Sequence, residues 1–180
     1  MNLRPKQFAA CPVLFSVVLL SAALFAAAPP LHAQSPAQMT AAQVLAQKAD
    51  KLVRLMKADH FNYDTTSSPT VFTIHFTGDH LKDIKVILAI GSDEDCDLVA
   101  LVIVTPKATM PPTAEFRYML LKANHEYDQV KIGFNNDDDL LVRIDASMRL
   151  ADALYLKNVV SQVKNSSDEI YGKIQPQLIP

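Results

Sequence analysis

Ile84-Lys-Val-Ile-Leu-Ala-Ile90, Gly91-Ser-Asp-Glu-Asp-Cys-Asp97 and Leu98-Val-Ala-Leu-Val-Ile-Val104 run on from one another, and together they decide the fold. In the first run Ile84, Val86, Leu88 and Ile90 share one parity, with Ile87 and Ala89 on the other. In the second, Val99, Leu101 and Ile103 alternate with Leu98, Ala100, Val102 and Val104. Side chains of a strand alternate between faces, so strands apolar on both parities are expected to be covered on both sides. The acidic heptad between them has the length and polarity of a hairpin connection. The stretch therefore predicts a central antiparallel pair with the rest of the chain arranged around it.

Working outward towards the N-terminus, Val71 to Phe76 alternates as a strand and Thr77-Gly-Asp-His80 turns it into the central pair. Asp59 to Asp64 and Thr65 to Pro69 read as loop. Before them, Thr40-Ala-Ala-Gln43 matches a capping box, in which hydroxyl and amide satisfy each other's orphan backbone donors. Leu45, Ala49, Leu52 and Met56 follow with helical spacing, opposite Lys48, Lys51, Arg54 and Lys57. That is an amphipathic helix.

Towards the C-terminus, Thr105-Pro-Lys-Ala-Thr-Met-Pro-Pro112 stops the sheet, because proline cannot donate to a ladder. Thr113 opens a second helix with Phe116, Met119, Leu120, Ala123 and Tyr127 on one side and an exit near Asn124-His125. Val130, Ile132 and Phe134 form a strand, Asn135 to Asp139 a hairpin loop, and Leu140 to Asp145 its partner strand. A long helix from about Arg149 to Ile174 closes the chain, with a local polar interruption at Asn165-Ser-Ser-Asp168. The order α-β-β-β-α-β-β-α, with strands clustered in hairpins, indicates an α+β fold on an antiparallel sheet.

Residues 1–33 read differently. Arg4 and Lys6 precede an apolar run from Phe8 to Ala28, and Leu31 and Ala33 occupy the −3 and −1 positions of a cleavage site. These are the features of a secretory signal peptide, with cleavage after Ala33, a flexible lead-in over 34–39 and a single domain over 40–176. The competing reading is an uncleaved membrane anchor, weakened by Pro12 and the alanine-rich end. Removing residues 1–33 takes away two of the 17 Lys and Arg and none of the 19 Asp and Glu, so the remainder carries −4. No basic cluster offsets that charge, which argues against nucleic acid and anionic membrane surfaces as partners. Of the two cysteines only Cys96 remains, ruling out an internal disulfide in the exported chain.

Few residues carry chemistry. Asp93-x-Asp95-x-Asp97 opens like a calcium loop but has Leu98 and Val104 where glycine and a bidentate carboxylate are required. Asn135-x-Asp137-x-Asp139 fails in the same way, leaving a weak shared cation site only if both hairpin tips meet at one end of the sheet. His75 and His80 flank a turn and could approach each other, without an evident third ligand. There is no nucleophile elbow and no phosphate-cradling glycine loop. No catalytic residue, cofactor site or metal site is assigned. The candidate surface is the outer side of the second helix, where Arg117, Tyr118, Leu121 and Lys122 fall outside the inward stripe.

Those residues carry a resemblance. Arg117-Tyr-Met-Leu-Leu-Lys-Ala-Asn124, then Val130-Lys-Ile-Gly-Phe134 and a polar hairpin, is similar to the YbjN-like family, with its Leu-Leu-x-x-Asn on the second helix and an aromatic, here Tyr171, near the end of the last. The element order resembles the type III secretion chaperone-like fold, over roughly Thr40 to Ile174. The resemblance implies a non-catalytic domain that binds extended segments or regulates, often as a dimer through the second helix. The export signal is a departure, since secretion chaperones work in the cytosol. The expected function is an exported, non-catalytic protein- or peptide-binding domain, periplasmic or secreted and dimeric. The alternative is a periplasmic small-ligand or metal-ion binder using the acidic tips or His75 and His80.

Overall fold

A computed structural model describes residues 39–179 except Glu94. The expected cleavage after Ala33 and the lead-in up to 38 lie outside the described residues. The elements are α1 (Ala41–Ala58), β1 (Tyr63–Thr65), β2 (Val71–Phe76), β3 (Ile84–Ile90), β4 (Leu98–Thr105), α2 (Ala114–Glu126), β5 (Lys131–Phe134), β6 (Leu140–Ala146) and α3 (Ala153–Ile174). This is an α+β fold in the expected order, with one short strand added. The six strands form a single antiparallel sheet in the order β1-β2-β3-β4-β6-β5. The two most apolar strands, β3 and β4, occupy its middle.

The local signals act as their chemistry dictates. The Thr40 hydroxyl accepts from the Gln43 N–H at 3.3 Å, and the Gln43 side chain accepts from the Thr40 N–H at 2.8 Å. Thr113 caps α2 through Phe116 N–H. Asp152 caps α3 through Tyr155 N–H, so that helix starts at Ala153 and not near Arg149. Buried Ala151, like Met148 before it, belongs to the loop leading into α3. The segment read as loop contains β1, whose Tyr63–Thr65 pairs with Phe72–Ile74 of β2. Three residues are too few for an alternation signal, and a pre-existing β2 edge supplies the template. The helix exit expected at Asn124-His125 falls instead after Glu126, at Tyr127.

All three helices deliver apolar stripes to one core. Leu52 and Met56 of α1, Phe116 and Leu120 of α2, and Leu156, Val160 and Val163 of α3 meet Ile84, Val86, Leu88, Leu98, Ala100 and Val102 of the central strands. The polar interruption Asn165-Ser-Ser-Asp168 does not turn to solvent. Ser166, Ser167 and Asp168 are buried within an unbroken α3. Asp168 takes three backbone N–H groups of the β2–β3 turn, those of Asp79 (2.9 Å), His80 (3.0 Å) and Leu81 (2.7 Å). The turn comes so close to α3 that a Cβ on Gly78 would collide with the Asp168 carboxylate. No helix among the described residues is long and apolar enough to cross a membrane.

Candidate protein-binding surface

Coverage of the sheet is the main departure from expectation. Ile84, Val86, Leu88 and Ile90 are buried, whereas Ile87 and Ala89 are only half-buried. In β4, Val99 and Leu101 are half-buried and Ile103 is 46% exposed. None of these second-parity residues joins the core with the helices. The expected two-sided cover is therefore one-sided: among the described residues no helix packs on the second face. The physical reason is numerical. Helices α1 and α3 are needed side by side to roof one face, and α2 is drawn to the sheet's edge.

What holds α2 there is Asn124. Strand β5 is a terminal strand, so alternate N–H and C=O groups along it have no ladder partner. The Asn124 side chain donates to the Ile132 carbonyl and accepts from the Ile132 N–H, both at 2.7 Å. One amide thus replaces a neighbouring strand for one residue and blocks the edge against pairing. At the same C-terminal end α2 is tied to α3. Lys173 reaches Glu126 and Glu169, each at 3.1 Å, and lies 5.3 Å from the centre of the Tyr127 ring. Burial acts to lower the Lys173 pKa, but hydrogen bonds to Glu169, Glu126 and Tyr127 win and hold it above the ordinary lysine value.

The four residues singled out from sequence, Arg117, Tyr118, Leu121 and Lys122, are all exposed on α2. Tyr118 and Leu121 are 66% and 68% exposed and lie three residues apart, hence side by side on the helix. Arg117 and Leu121 form one wall of a hollow of about 230 Å³ against β5, closed by Ile132 and Phe134. A second hollow, about 550 Å³, adjoins it through Arg117 and Phe134 and is lined by Met110, Pro111 and Pro112. Phe134 has the parity of the buried Ile132, yet is 48% exposed, because it stands at the end of β5 as the lip between the hollows. Sequence reading counted it with the half-buried strand. Only the position of α2 at the edge makes it part of a groove.

Lys107 and Asp138 close the outer end of the groove at 2.5 Å. Their hydrogen bond raises the lysine pKa and lowers that of the carboxylate. Asp138 has φ 63, a left-handed conformation that aspartate tolerates in a tight turn.

The alternative ligand sites come apart. The β3–β4 tip lies at the end of the sheet where Leu98 meets Ala146, and the β5–β6 tip lies at the other end, where Thr105 meets Leu140. They cannot share a cation. His75 stands on the open face beside Asp64 (3.3 Å) and Asp83 (3.7 Å), while the His80 ring lies over Gly172 of α3 on the covered side. No three His, Cys, Asp or Glu side chains among the described residues converge as a metal cage. Asp97, read as a solvated tip residue, is 2% exposed, paired with Lys48 at 2.9 Å and accepting from the Met148 N–H at 2.6 Å. It works as a clamp between α1, the β3–β4 loop and the entry to α3.

No family model and no curated protein matches the sequence, so the YbjN-like resemblance stands on its short motif. Among solved structures the chain is similar to the Yersinia pestis type III secretion chaperone SycH, solved with a stable fragment of YscM2. The identity is 14%, the TM-score 0.45, and the match covers 67% of this chain and 96% of that one. It is also similar to a chain of the heterodimeric ExoU–SpcU complex from the type III secretion system of Pseudomonas aeruginosa. There the identity is 13% and the TM-score 0.44, covering 64% and 88% of the two chains.

Proposed function

We propose that this chain is an exported, non-catalytic domain of YbjN-like type that binds an extended protein or peptide segment and works as a homodimer. The observation that carries the binding role is the groove between α2 and β5. Two of the eight exposed large apolar side chains of the described residues, Leu121 and Phe134, line it, and Tyr118 stands one turn before Leu121 on the exposed side of α2. Contiguous exposed apolar surface beside charged residues marks interaction sites. The hollows suit an aliphatic or aromatic side chain of the partner, and Arg117, which lines both, suits a neighbouring carboxylate, with Lys122 exposed further along α2.

The test is selection of short random peptides on the purified protein, with affinities measured by fluorescence anisotropy. Expected are peptides that combine large apolar residues with Asp or Glu. Leu121→Glu should weaken them by about a hundredfold, since it removes an apolar contact from the centre of the groove and sets a like charge against the ligand's carboxylates. Affinities unchanged in Leu121→Glu and in Tyr118→Ala would refute the groove as the binding site.

A further inference from the structure

The open face of the sheet has an internal order that the groove on α2 does not explain. Following the register from strand to strand, Asp64 pairs with Thr73, Thr73 with Ile87, Ile87 with Leu101, Leu101 with Arg143 and Arg143 with Lys131. Residues paired across antiparallel strands project from the same face. One rung therefore crosses all six strands, acidic at β1, aliphatic in the middle and basic at β6 and β5. Adjacent rungs widen the aliphatic centre with Val71, Ala89 and Val99 on one side and Ile103 and Leu141 on the other. Leu141 is 8% exposed although it lies outside the helix-covered core.

The charges at the two ends are opposite in sum. On the β1–β3 side, the fixed charges of Asp64, Asp83 and Lys85 sum to −1, with the His75 imidazole between the two carboxylates. On the β5–β6 side, Lys131 and Arg143 share the single carboxylate of Asp145, net +1. A two-fold axis parallel to the strands and midway between β3 and β4 turns the rung from Asp64 to Lys131 onto its own complement and sets Ala89 over Val99 beside it, while on the other side Lys85 falls over Ile103. Asp64 of one copy falls over Lys131 of the other, Thr73 over Arg143, and Ile87 over Leu101. A pattern that matches itself under a two-fold axis is the requirement of an isologous dimer.

The size fits as well. At about 4.8 Å between strands and about 3.4 Å per residue, the strands tile roughly 600 Å². Specific interfaces begin at about 600 Å² per partner, and sheets with apolar inner faces stack about 10 Å apart.

We infer that the second copy of the proposed homodimer is seated on the open face of the sheet, aliphatic centre on aliphatic centre, with the acidic edge of each copy over the basic edge of the other. The inference rests on the dimeric part of the proposed function and leaves the α2 groove free for the partner segment.

Sedimentation velocity of the purified protein over a micromolar concentration series tests it, with circular dichroism to confirm folding of each variant. The expected result is a reversible dimer whose dissociation constant rises about a hundredfold in Leu101→Glu. Asp64→Lys, at an exposed position, should raise it about tenfold, and the double variant Asp64→Lys with Lys131→Glu should restore it. A dimer that survives Leu101→Glu and Asp64→Lys but dissociates in Leu121→Glu overturns the assignment of the face and keeps the dimer. A wild-type monomer, with or without a co-purifying peptide on that face, overturns both.

Discussion

Asp168 shows how a single polar residue in an apolar helix stripe governs a distant turn. Burial pushes its pKa up, but the N–H groups of Leu81, Asp79 and His80 favour the charged form and hold it below the ordinary aspartate range. A carboxylate whose folded pKa is depressed adds stability above its unfolded pKa and loses it as pH falls through the folded value. Asp168→Ala is therefore expected to cost about 2–3 kcal/mol in urea unfolding at neutral pH, where three hydrogen bonds to a charged acceptor are lost. The gap between variant and wild type should narrow below about pH 4 and close once the wild-type carboxyl is protonated in both states. A pH-independent gap would show that shape, not charge, holds the turn. Gly78 belongs to the same contact, since its missing side chain lets the turn reach the carboxylate.

At the scale of elements, the sheet treats its two edges differently. β1 is an edge only three residues long, and short edge strands discourage pairing by themselves. The β5 edge is guarded by the Asn124 amide. Asn124→Ala is expected to destabilise the fold by about 1–2 kcal/mol, through loss of two hydrogen bonds at a partly buried site. The Ile132 amide should then exchange with solvent at least about tenfold faster than in the wild type, as read by hydrogen exchange with mass spectrometry. Unchanged exchange at Ile132 would mean that packing by Phe116 and Leu120 alone keeps α2 on the edge.

Taken together, the described residues form a sheet roofed by helices on one side only. The Asp97 clamp, the Asp168 anchor and the Lys173 cluster all lie at the ends or rims of that roof and secure the helices to it. Among the described residues no helix covers the other face, whose aliphatic centre is at Ile87 and Leu101. For export, the expected outcome is that the intact mass of the protein recovered from the periplasm corresponds to a chain beginning at Gln34. A mass retaining residues 1–33 would contradict the cleavage and favour an anchor.

Periodicity and capping chemistry by themselves determined most of the elements and the centrality of β3 and β4, because alternation, helical spacing and the Thr40–Gln43 box are local facts. They also placed Arg117, Tyr118, Leu121 and Lys122 outside the inward stripe of α2. Tertiary structure alone decided the rest. Apolar residues on both parities of β3 and β4 say that both faces favour cover, but not whether this chain or another molecule supplies it. Asp97 and Asp168 look like solvated acids in sequence, since their partners stand 51 and about 90 positions away. The rung from Asp64 to Lys131 is invisible along the chain because it is written across six strands, one residue from each, and only their pairing register brings it into line.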